Sequence, residues 1–129
     1  MNWTTEFTQD FAREAKRLLK RYKSFKKDLE TFRTGLLENP FQGAELCPGI
    51  RKVRMAIQSK GKGKSAGARV ITFTYYVSEK DGKIVFLLIY DKTDADTVDT
   101  AMVRQIVQQL GFDLQEMESN GVIPRTPQI

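Results

Sequence analysis

The run Ile84-Val-Phe-Leu-Leu-Ile-Tyr90 constrains this chain more than any other stretch. It is apolar at both parities, so as a strand it needs cover on both faces and must lie inside a layered sheet. At seven residues it is the longest apolar run in the chain, well short of the about 20 that a membrane-spanning helix requires. No charged-then-apolar leader opens the sequence at Met1-Asn2-Trp3-Thr4-Thr5-Glu6. The single cysteine, Cys47, can form no internal disulfide. A cytoplasmic protein without a membrane partner is expected.

The other elements are built around that strand. Trp3 to Phe7 reads as a first strand, and Thr8 as the cap of a helix with its stripe at Phe11, Ala15, Leu18, Leu19 and Tyr22. Ser24 is expected to cap a second helix striped by Phe25, Leu29, Phe32 and Leu36, and Pro40 stops it. The short break at Lys23-Ser24 implies an antiparallel helical hairpin. A loop through Gly43, Pro48 and Gly49 follows. Ile50 to Ile57 alternates, with Val53, Met55 and Ile57 on one face and Lys52, Arg54 and Ala56 on the other. Lys60 to Gly67 is a loop, Arg69 to Val77 a strand, and Asp81-Gly82 marks a hairpin turn. Asp99 caps a last helix striped by Met102, Val103, Ile106 and Leu110 and ended by Gly111. The fold class expected is α+β, a small antiparallel sheet with helices on one face, in the order β-α-α-β-β-β-α. It forms one domain over residues 1–111, with a tail at 112–129 that docks, if at all, through Leu114, Met117 or Val122.

Composition removes whole classes of chemistry. There is no histidine, which excludes His-based acid–base catalysis, a Ser-His-Asp triad and any His-containing zinc site. Residues 1–70 hold 16 Lys+Arg against 7 Asp+Glu, net +9, whereas residues 71–129 are net −4. A basic half with an overall pI near 9.4 suits a polyanionic partner. Gly63-Lys64-Ser65 imitates the end of a phosphate-binding loop, but Gln58 stands where the first glycine belongs and the segment joins two strands. Asp91, Asp94, Asp96 and Asp99 lack the glycine and closing glutamate of a calcium loop, and capping and solubility account for them, so neither a metal nor a cofactor is expected.

The basic cluster carries more. Arg51, Lys52, Arg54, Lys60, Lys62, Lys64 and Arg69 place seven cations in 19 residues with no carboxylate among them. Lys52 and Arg54 share a strand face, and the glycines between the later lysines allow close approach to a backbone. Together they suggest a phosphate-binding surface. Strand parity sets Arg69 with Ile71 and Phe73, so Arg69 is expected beyond the core edge or at a bulge, solvated like Lys52. Tyr75 and Tyr90 read as core aromatics. Lys92, just past the buried strand, stands where a sheet offers residues to a site.

Several segments then resemble one family in order: Glu14-Ala-Lys-Arg-Leu, Lys26-Lys-Asp-Leu, Glu38-Asn-Pro-Phe-Gln-Gly, Pro48-Gly-Ile-Arg-Lys-Val-Arg-Met-Ala-Ile, Ser59-Lys-Gly-Lys-Gly-Lys-Ser, Ala68-Arg-Val-Ile-Thr and Ile89-Tyr-Asp-Lys. Over about residues 2–110 the chain is similar to the RelE/ParE toxins of bacterial type II toxin–antitoxin modules, nearest their RelE- and HigB-like branch. The resemblance implies a ribosome-dependent, metal-independent mRNA endonuclease that inhibits translation. Its partners would be the ribosome, mRNA and a cognate antitoxin. By position it implies catalytic roles for Lys52, Arg54, Arg69 and Lys92, with Arg51, Lys60, Lys62 and Lys64 binding RNA. In such toxins crowded cations do the work of histidine, a lysine serving as base and arginines holding the phosphorane charge. Two positions depart from the RelE pattern: Thr93 stands where an arginine is expected and Asp99 near an expected tyrosine. These departures keep open a ParE-like inhibitor of a protein target such as DNA gyrase, and a decayed toxin that only binds its antitoxin.

Overall fold

A computed structural model describes residues 1–95 and 97–112. Strand β1 (Asn2–Phe7) leads into helices α1 (Gln9–Arg21) and α2 (Phe25–Glu38). Strands β2 (Ala44–Cys47), β3 (Ile50–Met55), β4 (Ala68–Tyr76) and β5 (Asp81–Asp91) follow, then helix α3 (Thr100–Gln109). Two single 3-10 turns, Gln58–Lys60 and Lys64–Ala66, interrupt the β3–β4 connection. The α+β class and the helical hairpin are as expected, but the details differ in three ways.

First, the sheet has five strands in the order β1-β5-β4-β3-β2, one strand more than the pattern suggested. Ala44-Glu-Leu-Cys47 is too short to display alternation. It is pinned instead by Gly43 (φ 101°), where a Cβ would lie 2.7 Å from the Lys52 carbonyl oxygen. Second, the sheet is mixed, because β1 pairs parallel with β5 while the other neighbours are antiparallel. A short edge strand carries no sequence signal for its direction. Third, the helices cover both faces. Phe11, Leu18, Phe25 and Leu36 of the hairpin pack with Val53, Met55, Val70, Ile84 and Phe86 on one side. Val103 and Val107 of α3 pack with Ile50, Ile71, Phe73, Val85 and Leu87 on the other.

That double cover is what the Ile84–Tyr90 run needs. A bulge at Ile71/Thr72 shifts the register, so Ile71 faces Leu88 while Thr72 faces Phe86. Leu87 and Leu88 therefore both fall on the α3 side. Thr8 caps α1 by accepting from the Phe11 N–H at 3.0 Å, and its hydroxyl donates to the Leu87 carbonyl. Asp99 caps α3 by accepting from Ala101 N–H. Ser24 sits at the start of α2 but turns its hydroxyl to Asp28 instead of to the backbone.

The β4–β5 turn lies earlier than Asp81-Gly82. The N–H groups of Val77 and Ser78 both donate to the Asp81 carbonyl, and Asp81 and Gly82 already pair with Asn2 and Trp3. Gly82 serves packing: a Cβ there would sit 2.2 Å from the Trp3 ring. In the helix stripes, Leu19, Met102 and Leu110 are exposed, and Val107 takes the core position on α3. Phe112 packs on Phe73 and Tyr75, whereas the expected docking residues Leu114, Met117 and Val122 lie outside the described residues. No helix among the described residues is long and apolar enough to cross a membrane.

Candidate nucleic-acid interface

Strand β2 pairs with β3 only as far as Ala44 opposite Lys52, so β3 has an open edge from Val53 to Met55. On the face away from the hairpin, Arg54, Arg69 and Tyr90 form one row across β3, β4 and β5. Lys52, Ile71 and Leu88 form the next. A cleft of about 550 Å³ opens there, lined by Lys52, Arg54, Lys64, Arg69 and Lys92 with Gln42, Gly43, Ala44 and Val53. The four cations expected to be catalytic are thus brought together, joined by Lys64. Among the described residues, the lining holds five cations and no carboxylate. Like charges directly opposed on neighbouring strands cost about 0.2–1 kcal/mol per pair. No carboxylate among the described residues of the lining offsets that for Arg54 and Arg69. A bound polyanion would.

Arg69 is not at a solvated edge. It is only 5% exposed, and its guanidinium donates to the carbonyls of Lys64 at 3.2 Å, Ser65 at 2.8 Å and Ala68 at 3.1 Å. The second 3-10 turn folds back over it, because Gly67 lets the chain run against β3: a Cβ at Gly67 would lie 2.0 Å from the Met55 carbonyl oxygen. Arg69 thereby holds the loop that brings Lys64 to the cleft.

The other expected RNA-binding residues have different surroundings. Arg51 points to the opposite sheet face, as the parity of Lys52 and Arg54 demands. It is 4% exposed, lies over the Phe41 ring, and stands 3.9 Å from Glu45. Lys60 folds inward and donates to both Asp91 and the Ala66 carbonyl. Asp91 is fully buried and also accepts from the Tyr22 hydroxyl and the Thr93 N–H. Burial alone would raise its pKa, but the bonds from Lys60, Tyr22 and Thr93 outweigh that and hold it at about 2. Burial and the bond to Asp91 push the Tyr22 hydroxyl up. Lys62 is exposed and lines a separate pocket with Arg21, Lys60 and Lys92.

The two departures from the RelE pattern have assignments of their own. Thr93 accepts from Lys60 through its hydroxyl at 3.0 Å, and Asp99 is the α3 cap. The Tyr22–Lys60–Asp91 cluster gave no sequence signal, since its members lie far apart in the chain. Gln42 and Gly43 of the cleft were likewise hidden in what reads as a loop. No known family model matches the chain.

Proposed function

We propose that this chain is the toxin of a type II toxin–antitoxin module, a ribosome-dependent mRNA endonuclease of the RelE/HigB-like branch acting in the cytoplasm. The single observation that carries the reading is the cleft that gathers Lys52, Arg54, Lys64, Arg69 and Lys92, with no carboxylate among the described residues of its lining. In the proposed reaction the ribose 2′-hydroxyl oxygen attacks the adjacent phosphorus in line. Its proton passes to Lys52, whose amine must enter the step neutral, crowded by the four other cations, in order to accept it. The 5′-oxygen leaves with a proton from Lys92, giving a 2′,3′-cyclic phosphate and a 5′-hydroxyl. Arg54 and Arg69 hold the charge that builds on the phosphorane oxygens. A cognate antitoxin would mask Lys52 and Arg54 with an acidic segment. Its apolar part would rest in the groove of about 370 Å³ between α1 and α2, lined by Phe7, Leu19, Phe25 and Leu29.

The test is expression without an antitoxin, followed by mapping of mRNA ends and plasmid supercoiling. Translation should stop with new mRNA ends and supercoiling unchanged. Lys52→Ala should lose roughly 10²–10³ in cleavage, by analogy with removal of one preorganised donor. It should melt as the wild type does, because Lys52 is partly exposed. The roles of Thr93 and Asp99 in the Asp91 cluster and the α3 cap favour a second reading, the ParE-like inhibitor. Growth arrest with altered supercoiling and intact mRNA would establish that reading in place of the first.

A further inference from the structure

A second groove, larger than the cleft, lies next to it. It has a volume of about 660 Å³, lies between α2 and the open edge of β3, and is lined by Lys23, Lys27, Phe32, Gly35, Arg54 and Lys64 among others. Gln42, Arg54 and Lys64 line both spaces, so groove and cleft are continuous. We propose that this groove binds the stretch of single-stranded RNA that flanks the scissile phosphate, with Lys23 and Lys27 holding its backbone. The inference rests on the RNA-cleaving reading and extends that site by a second set of residues.

Three observations support it. Lys23 and Lys27 stand four residues apart, bracketing the first turn of α2, and neither has an ion pair among the described residues. By contrast, Arg13, Arg17 and Arg21 on α1 are all paired with acids. The one carboxylate in the lining, Asp28, is buried, and its Oδ2 already accepts from the Ser24 hydroxyl and the Gln58 N–H. Gly35 forms part of the wall in the last turn of α2, where a Cβ would meet nothing within 4 Å. Packing does not require a glycine there, and helix propensity disfavours one, but its absence of side chain keeps the wall open beside the Phe32 ring. Cations for phosphates beside apolar and aromatic wall for bases is the combination that sequence-tolerant single-strand binding uses.

The experiment compares a labelled single-stranded RNA of roughly twelve nucleotides with a trinucleotide, using the full chain. The longer RNA should bind more tightly than the trinucleotide. The double variant Lys23→Gln/Lys27→Gln should bind it roughly tenfold more weakly, with the salt slope shallower by about 1.4 for two lost phosphate contacts. Trinucleotide binding, confined to the cleft, should not change. Gly35→Gln keeps every charge and should weaken the longer RNA alone, with an unchanged or higher melting temperature. Unchanged affinity in both variants, or equal loss for both RNAs, would overturn the proposal. So would polyglutamate binding through Lys23 and Lys27 more tightly than RNA, which would make the groove a site for an acidic protein. Cleavage of translated mRNA by the wild type is scored separately, so failure of the nuclease reading is seen apart from failure of the groove.

Discussion

Lys60 and Lys64 stand four residues apart in one glycine-rich loop, yet they end in opposite electrostatic settings. Lys60 turns under the loop to a fully buried carboxylate and becomes part of the fold. Lys64 is set over a cleft whose other cations are Lys52, Arg54, Arg69 and Lys92, with no acid in the lining. The loop is therefore fastened at one end by a satisfied ion pair, while Arg69 holds the other end by donating to its carbonyls. The lesson is that a run of cations is not one feature. Where a buried acid meets the ammonium, charge contributes stability. Where no acid meets it, as at the exposed Arg54 opposite Arg69, charge costs stability.

The sharpest way to break that comparison is to remove each lysine. Lys60→Met should leave Asp91 buried with Arg21, 3.3 Å away, as its one remaining ion-pair partner among the described residues, and should cost about 3–5 kcal/mol by chemical denaturation. Lys64→Met, at an exposed position, should change stability by no more than about 0.5 kcal/mol. The double variant Lys60→Met/Asp91→Asn removes both charges and should recover much of the loss. Equal effects of the two single variants would mean that the Asp91 pair is no anchor.

Acid offers a gentler probe of the same contrast. Asp91 is held at about 2, below its ordinary 3.8. A carboxylate depressed in the folded state contributes stability that is fully present above its unfolded value. That stability is lost as pH falls from about 4 through about 2. The contribution is about 2 kcal/mol. Urea midpoints should therefore drop over that window in the wild type, and the part of the drop due to this residue should vanish in Asp91→Asn. The described lining of the cleft holds no carboxylate and offers no comparable term. A wild-type profile parallel to that of the variant would sink the assignment.

Much of this contrast was out of reach of the sequence for a specific reason. Alternation along Ile50–Ile57 put Lys52 and Arg54 together on a solvated face, and the structure agrees. The same alternation carried an unused implication, that Arg51 faces the other way. Helices α1 and α3 were legible through the caps Thr8 and Asp99 as well as their stripes, α2 through its stripe alone, since Ser24 bonds Asp28 and caps no backbone N–H, and β5 through its apolar run. The fate of Lys60 was not legible, because its partner lies 31 residues further on, at the end of β5, and the Lys60–Gly67 loop has no period. Arg69 was misplaced for a related reason. Parity gave its face correctly, but only the fold-back of the Lys64–Ala66 turn buries it. The strand β2 and the parallel pairing of β1 rest on backbone contacts between distant segments, which short edge strands do not encode.

The smallest expected effect tests the unneutralised side directly. Arg54 lies opposite Arg69 in the β3–β4 register, and Arg54 is exposed while Arg69 is buried. Replacing Arg54 by threonine keeps a good strand former and removes the like-charge opposition. Stability should rise by about 0.5 kcal/mol at low salt. Near 1 M salt, where the screening length falls to about 3 Å, the gain should shrink toward zero. The wild type should accordingly gain stability on addition of salt, and Arg54→Thr should gain less. Inorganic pyrophosphate should raise the wild-type melting temperature further than chloride at equal ionic strength, since an anion that binds only the folded cleft stabilises it by mass action. That additional rise should be reduced in Arg54→Thr. If the variant instead loses stability at every salt concentration, the aliphatic part of Arg54 is packing against the sheet edge, and the opposed arginines are not a standing electrostatic cost.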